Sequence, residues 1–357
     1  MDNKRKSYTK STAPIRRYKQ KSQVASLRTG LVVIMSVFVI LGAVVYIMSL
    51  TGTGLYRDDS SDVSPIVDST EESTNNDGTQ TEGTTTDEIG TDDPLAVKYT
   101  NRDIDAFKIG VGDLVLIDNT HEYKFIDESI KPLWGNSTSS YKLSGSSLSL
   151  KEPVILALNK MMDDYVAATS YKHAIVTNAY RSYADQEKLY NQNPRGSAAP
   201  GYSDYHSGLT LRLQGYIDEN SGIFDLRNSS SAQASWLENN MKNYGFIFRY
   251  PSDKNAITGY NIPWQLRYVG VPHSIYIKDN NLCLEEYLEL LATNHKYSDE
   301  HLKIDTPNGS YEVYYVEGTA EGTIKLPVPS NRDYEISGDN KSGFIVTVLP
   351  PRPVTAN

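Results

Sequence analysis

Apolar and polar positions recur with different periods along this chain, and the changes of period mark its elements. Thr29 to Leu50 (TGLVVIMSVFVILGAVVYIMSL) is an uninterrupted apolar run without a charge, of the roughly 20-residue length needed to cross a bilayer core. Residues 51–98 are rich in Ser, Thr, Gly, Asp and Glu. Such a stretch cannot bury enough surface to offset its ordering entropy, which predicts a flexible, self-repelling stalk. From Tyr99 onward periodic patterns return. Glu152 to Ser170 places Val154, Ile155, Leu158, Met161, Met162, Tyr165 and Val166 on one face, which predicts a helix. Ala174 to Ala179 reads as a strand, and Ser182 with Asp185 reads as a capping box opening a helix through Tyr190. Gly208 to Leu213 alternates as a strand. A helix from Ala232 to near Gly245 is followed by a strand over Phe246 to Tyr250. Gly112 to Ile117 and His273 to Ile277 also read as strands, and Leu284 to Thr293 as a helix. After His301 the pattern is strand-only: Tyr311 to Val316, Thr323 to Val328 and Phe344 to Leu349, separated by Gly- and Pro-containing turns. The class expected is α+β, with a small β-rich C-terminal extension and one preceding transmembrane helix.

Charge sharpens this division. The chain of 357 residues has a formal net charge of −9. Residues 1–28 carry nine Lys/Arg and one acid, and the remaining 26 basic and 43 acidic residues leave −17 on the rest. That balance argues against a nucleic-acid partner for the main body. The basic run should stay cytoplasmic, giving a single-pass cell-membrane protein whose C-terminal domain is extracellular. A cleaved signal peptide fits less well: the basic region is long, the apolar run exceeds a signal core, and no A-x-A site follows. The expected organisation is a basic tail over 1–28, a membrane helix over 29–50, the stalk over 51–98, a core domain over 99–297 and a β-rich extension over 298–357. The single cysteine, Cys283, excludes an internal disulfide and a cysteine-based zinc cluster. Beside Leu284 it reads as a small buried hydrophobe rather than a nucleophile. There is no G-x-S-x-G element.

Three segments in order carry the candidate chemistry. They are Asn178-Ala-Tyr-Arg181-Ser182 with Gln186, then Pro200-Gly-Tyr-Ser203-Asp204-Tyr205-His206-Ser-Gly208-Leu209, and third Trp236-Leu, Tyr244-Gly-Phe-Ile-Phe-Arg-Tyr-Pro251 and Ile262-Pro-Trp264-Gln265-Leu-Arg-Tyr-Val-Gly270. Together they resemble the VanY-type D-alanyl-D-alanine carboxypeptidases, zinc enzymes of the bacterial cell wall, over roughly residues 110–295. The resemblance implies a reaction of metal-assisted peptide hydrolysis, with Zn²⁺ on three protein ligands and one open position. It places a His and an Asp of the second motif and a His of the third as ligands, with a Glu of the third as general base.

Here the chain departs from the family. Registered on Pro200-Gly201 and Gly208-Leu209, the His position is Tyr205 and the Asp position is Arg212. Registered on the third motif, the Glu position is Ile262 and the His position is Gln265. All metal ligands and the base are replaced, so no zinc and no other cofactor are expected. Arg212 could instead stand where the metal's positive charge would be and hold a carboxylate or another anion. His206 sits one place late for a ligand, and a one-residue slip turns a strand side chain to the other face. A surface or hydrogen-bonded histidine is the plainer reading, and Asp218 lies too far along to substitute.

The non-metal side of the motifs is kept in Arg181, Ser182, Gln186, Ser203 and Asp204. These, with Trp264, are the candidate ligand-binding residues, Trp264 reading more readily as core or pocket wall. Arg181 either faces a bound peptide or is a buried arginine paired with Asp204 or Asp185. The function classes left open are a zinc-less pseudoenzyme binding peptidoglycan stem peptides or an envelope protein, an active D,D-carboxypeptidase with an unusual site, and a purely structural envelope protein.

Overall fold

The computed structural model describes residues 96–352 apart from 126–128, 217–221, 227–231, 263 and 320. The basic tail, the apolar run at 29–50, nearly all of the stalk and Asp218 lie outside the described residues. Among the described residues, no helix is long and apolar enough to cross a membrane.

The centre is a mixed sheet. Its strands are β3 (Lys142–Leu143), β5 (Ala174–Asn178), β6 (Thr210–Tyr216), β9 (Gln265–Tyr268) and β8 (Phe246–Phe248), in that order, with β7 (Ile223–Phe224) pairing β6. All pairs are antiparallel except β3 with β5. Alternation along β6 sends Leu211 and Leu213 into the main core. There they meet α1 (Glu152–Thr169), whose Val154, Leu158, Met161, Met162 and Tyr165 are buried as the periodicity predicts. The opposite face of the same strands carries Thr210, Arg212, Gln265 and Arg267. A short two-stranded ladder of β2 (Ile130–Pro132) with β4 (Ser149–Lys151) leads into α1.

The expected helices at 182–190 and 232–245 form as α2 (Tyr183–Gln192) and α3 (Ala232–Asn240), the latter continued by a 3₁₀ turn over Met241–Tyr244. Ser182 caps α2 by accepting from the Asp185 backbone N–H at 3.1 Å. A short α4 (Asn255–Thr258) precedes β9.

Two expected strands are not strands. His273–Asp279 is a helix, α5, in which His273, Ser274 and Ile277 are buried. A five-residue apolar run fits either period, and here the spacing of three and four decides. Gly112 to Ile117 opens with a turn over 112–114 and continues without joining a sheet, because side chains take the groups a ladder would use. The Ser337 hydroxyl accepts from Leu114 N–H, Arg267 donates to the Asp113 and Val115 carbonyls, and Asn340 donates to the Leu116 carbonyl. Leu284–Asn294 forms α6 as expected, with Cys283 buried at its N-terminus. Burial pushes that thiol up to about 12, as suits an inert hydrophobe.

The C-terminal region contains more strands than its pattern announces. β11 (Gly309–Glu317), β12 (Thr323–Pro329) and β14 (Gly343–Val348) match expectation, and β10 (Leu302–Thr306) and β13 (Tyr334–Gly338) are added. They form the antiparallel sheet β10-β11-β14-β13, while β12 pairs with β1 (Tyr99–Asp105). The sheet topology therefore cuts across the expected boundary at 297/298: the first strand after the stalk completes the C-terminal layer. β14 is buried along its whole length. Phe344, Val346 and Val348 face β1 and β12, and Ile345 faces α5 and α6. The polar run Asn101-Arg102-Asp103 with Asp105 on β1 hid a strand whose partner lies more than 200 residues away.

Candidate functional site

The face of the central sheet turned away from α1 opens into a cavity of about 610 Å³. Asn178, Arg212 and Gln265 form a row across its floor, because Arg212 pairs with Asn178 on β5 and with Gln265 on β9. A register irregularity between Val176 and Asn178 brings Asn178 into that row. Tyr205 enters from a 3₁₀ turn over Asp204–Ser207, closed by Gly208 in the left-handed region (φ 67°). The left-handed conformation is what calls for glycine here; a β-carbon at Gly208 would also lie 2.3 Å from Ile130 Cδ1, so that side chain would have to shift. Arg181, Gln186, Ser203, Asp204 and Ile262 also line the cavity, as do Arg195 and Tyr250. Tyr205, Arg212, Gln265 and Ile262 thus converge on one space with Arg181.

The arginines of this region differ in their partners. The Arg181 guanidinium donates to Gln186 Oε1 at 2.6 Å and lies 4.6 Å from the Tyr205 ring centroid. It forms no ion pair with Asp204 or Asp185. Gln186 is buried, and its amide nitrogen donates to the Ala198 carbonyl at 2.6 Å. It therefore holds Arg181 and the 195–198 segment in one arrangement. Asp204 is spent elsewhere. Its carboxylate accepts from Arg267 Nη1 at 2.5 Å and from the Thr210 hydroxyl, and Arg249 Nε lies 3.3 Å away. Arg249 also pairs with Glu285 at 2.8 Å, and all three charged side chains around Asp204 Oδ1 are fully buried. Arg249 and Arg267 were not among the sequence candidates. Both lie within the third motif, and Arg267, two residues after Gln265, had to share its face.

Among the described residues, Arg212 has no such partner. Its Nε is buried without a hydrogen bond, and so is Gln265 Oε1 directly across the ladder. Leaving a buried polar atom unmet costs about 1–3 kcal/mol. Gln265 is 2 % exposed, so water does not readily relieve it. Burial raises the Tyr205 phenol above its usual range, against the pull of Arg181 and Arg212. The phenol is therefore neutral.

A zinc ion does not fit this donor set. A neutral phenol and a carboxamide are weak ligands for it. The guanidinium of Arg212 cannot deprotonate and would repel a dication about 4 Å away by about 8 kcal/mol at an effective dielectric of 20. His206 does not rescue the site. It is buried and does not line the cavity. Its Nδ1 lies 2.6 Å from the Arg181 carbonyl and its Nε2 accepts from Gly201 N–H at 3.1 Å. Burial lowers its pKa, so it is a neutral histidine with both nitrogens engaged. Among the described residues, no group of three His, Cys, Asp or Glu side chains comes together as a metal site. Trp264 also falls outside the cavity. It packs in the main core, its ring 5.1 Å from Phe248, so it is wall behind the site and not a ligand contact.

Comparison with known proteins accords with this geometry. The family model for VanY, D-alanyl-D-alanine carboxypeptidase, matches residues 147–271. A D-alanyl-D-alanine carboxypeptidase of Enterococcus faecium is 34% identical over 247 residues, covering 67% of this chain and 76% of that protein. The bifunctional D-Ala-D-Ala dipeptidase and D-Ala-D-Ala carboxypeptidase VanXYC of Enterococcus gallinarum is 34% identical over 144 residues, covering 37% of this chain and 76% of its own length. The solved structure of the vancomycin-resistance D,D-dipeptidase VanXYg, in complex with a D-Ala-D-Ala phosphinate analog, superposes with a TM-score of 0.60 at 23% identity. It covers 70% of this chain and 99% of that one and so shares the fold. With a relative of this identity matched over most of its length, the chain belongs to the VanY D-alanyl-D-alanine carboxypeptidase family.

Proposed function

We propose that this chain is a zinc-less member of its family that binds peptidoglycan stem peptides at the bacterial cell envelope without hydrolysing them. The observation that carries the reading is the row of Arg212 and Gln265 on the cavity floor, a cation and a carboxamide at two positions where the family motifs have metal ligands. With Ile262 at the position of the motif glutamate, no side chain there can take a proton from water. The cavity itself is retained, and its lining includes Arg181, Arg195 and Arg212. Asp204, the acid that also lines it, is already held by Arg267 and Arg249. A positively charged cavity suits the terminal carboxylate of a peptide. The relatives are named for action on D-Ala-D-Ala, which supports a stem peptide as the ligand.

The apolar run at 29–50 and the basic residues before it support a single-pass anchor with the domain outside the cell. Residues 51–98 would then hold the domain away from the membrane. Protease added to intact cells should remove the C-terminal domain; resistance until lysis would reverse the orientation.

The decisive experiment uses the full-length chain purified in detergent. Zinc content, D-alanine release from a pentapeptide stem and binding of that peptide are measured together. Binding without stoichiometric zinc and without release is the expected result. About one zinc per chain, with release abolished by a chelator, would overturn the reading. Combining Tyr205→His, Arg212→Asp, Gln265→His and Ile262→Glu should create zinc binding, whereas any one of these changes leaves opposing groups in place.

A further inference from the structure

The floor of the cavity holds two buried polar atoms of opposite need. Arg212 Nε is a donor without an acceptor, and Gln265 Oε1 is an acceptor without a donor. They belong to directly opposed residues of β6 and β9, so both side chains rise from the same face a few ångströms apart. Nevertheless they do not satisfy each other. Nor do neighbouring acids: Asp204 is engaged by Arg267, Arg249 and Thr210, and among the described residues no carboxylate pairs with Arg212. Elsewhere in the same layer the buried arginines do stand against carboxylates, Arg249 against Glu285 and Asp204 and Arg267 against Asp204, even though Arg249 Nε and Glu285 Oε2 make no hydrogen bond.

We infer that Arg212 and Gln265 form a clamp for the free end of a peptide chain. The Arg212 guanidinium takes the terminal carboxylate, and Gln265 Oε1 accepts the amide N–H of the same terminal residue. The amide nitrogen is two bonds from the carboxylate carbon, so one residue presents both groups together. An inorganic anion has no N–H and leaves Gln265 unmet; a chain end capped as an amide leaves Arg212 without its anion. Arg181, stacked on Tyr205 and fixed by Gln186, stays available to a carbonyl further along the peptide. The inference rests on the stem-peptide reading above and adds which end of the ligand is read and by which atoms.

The test measures binding of fluorescent stem peptides to the full-length chain by anisotropy. One peptide ends in a free D-alanine carboxylate, a second in the corresponding primary amide, and a third in an N-methylated terminal residue. The free acid should bind tighter than either by about tenfold or more, as expected for a charge-assisted bond or a buried acceptor left unmet. Equal binding of acid and amide would sink the clamp while leaving the stem-peptide reading intact. Failure of every peptide to bind would overturn both. Arg212→Gln should abolish the preference for acid over amide. Gln265→Glu supplies Arg212 with an internal carboxylate, so it should lose acid-peptide binding by about tenfold or more while its thermal midpoint stays level or rises. A Gln265→Glu chain that is folded and binds the acid peptide as tightly as the unaltered one would refute the assignment.

Discussion

Two arginine-bearing regions share the outer face of the central sheet, and they are built on opposite principles. Around Asp204 every charge faces an opposite charge: Arg267, Arg249 and Thr210 meet one carboxylate, Glu285 meets the other end of Arg249, and Arg267 also donates to the Asp113 and Val115 carbonyls, although Arg249 Nε and Glu285 Oε2 make no hydrogen bond. On the cavity floor, Arg212 and Gln265 keep buried atoms unmet. The first region ties the central sheet to the 113–117 segment and to α6, and so holds two layers of the fold together. The second holds nothing together. Breaking a paired buried ion network exposes uncompensated charge, whereas an open one is strained only until something fills it. The comparison separates arginines that serve the fold from those free to serve a ligand, a distinction that burial alone would miss.

The contrast can be broken at its strong side first. Asp204→Asn should destabilise the folded chain by about 3–5 kcal/mol, because Arg267 and Arg249 would remain buried without their shared carboxylate. Chemical denaturation measures this; a loss below about 1 kcal/mol would show that the network is not paired as described. Gln186→Ala comes next, at about 1–3 kcal/mol, since it strips a buried partner from Arg181 and from the Ala198 carbonyl. Its peptide affinity should fall as well, through a misplaced Arg181.

A smaller effect tests pairing in the C-terminal layer. His301 lies against Glu312, which also accepts from the Tyr99 hydroxyl. Burial works against its charge, but Glu312 and the Tyr297 carbonyl outweigh it, so its pKa is raised above the ordinary value of 6.5. A raised histidine stabilises the fold fully below its unfolded value, and that contribution is lost as pH rises through the folded value. His301→Gln should therefore cost stability at pH 6, less than about 1 kcal/mol for a partly exposed pair, and less again at pH 9. Denaturation midpoints at the two pH values compare these; an equal or larger loss at pH 9 would contradict the sign. The smallest effect belongs to the open region. Arg212→Gln should leave stability within about 1 kcal/mol of the original, or raise it slightly, because no ion pair among the described residues is lost and a half-buried charge is removed. A loss as large as that of Asp204→Asn would erase the distinction between the two regions.

Much of this was legible in the residues. The period along 152–170, the cap at Ser182 and the alternation across 208–213 are local properties, and a local pattern can be read wherever one face is buried and the other is not. The motif spacing was sufficient to bring Tyr205, Arg212, Gln265, Ile262 and Arg181 to one place, since register along a strand and across a ladder follows from alternation. What alternation cannot state is which polar group meets which. His273 to Ile277 fitted strand and helix equally until α5 packed against α6 and the C-terminal sheet. The 113–117 segment became a loop because Arg267 and Ser337, distant in the chain, took its backbone groups. β1 found its partner across the whole domain. Asp204, read as a candidate ligand contact, was claimed by arginines 45 and 63 positions away. The sequence by itself determined the family, the motif spacing and the face its residues share, all of which rest on short-range periodicity and spacing. Only the tertiary structure decided that Arg249 and Arg267 are spent on Asp204 while Arg212 is left open, because ion pairing depends on through-space distances that chain order does not encode.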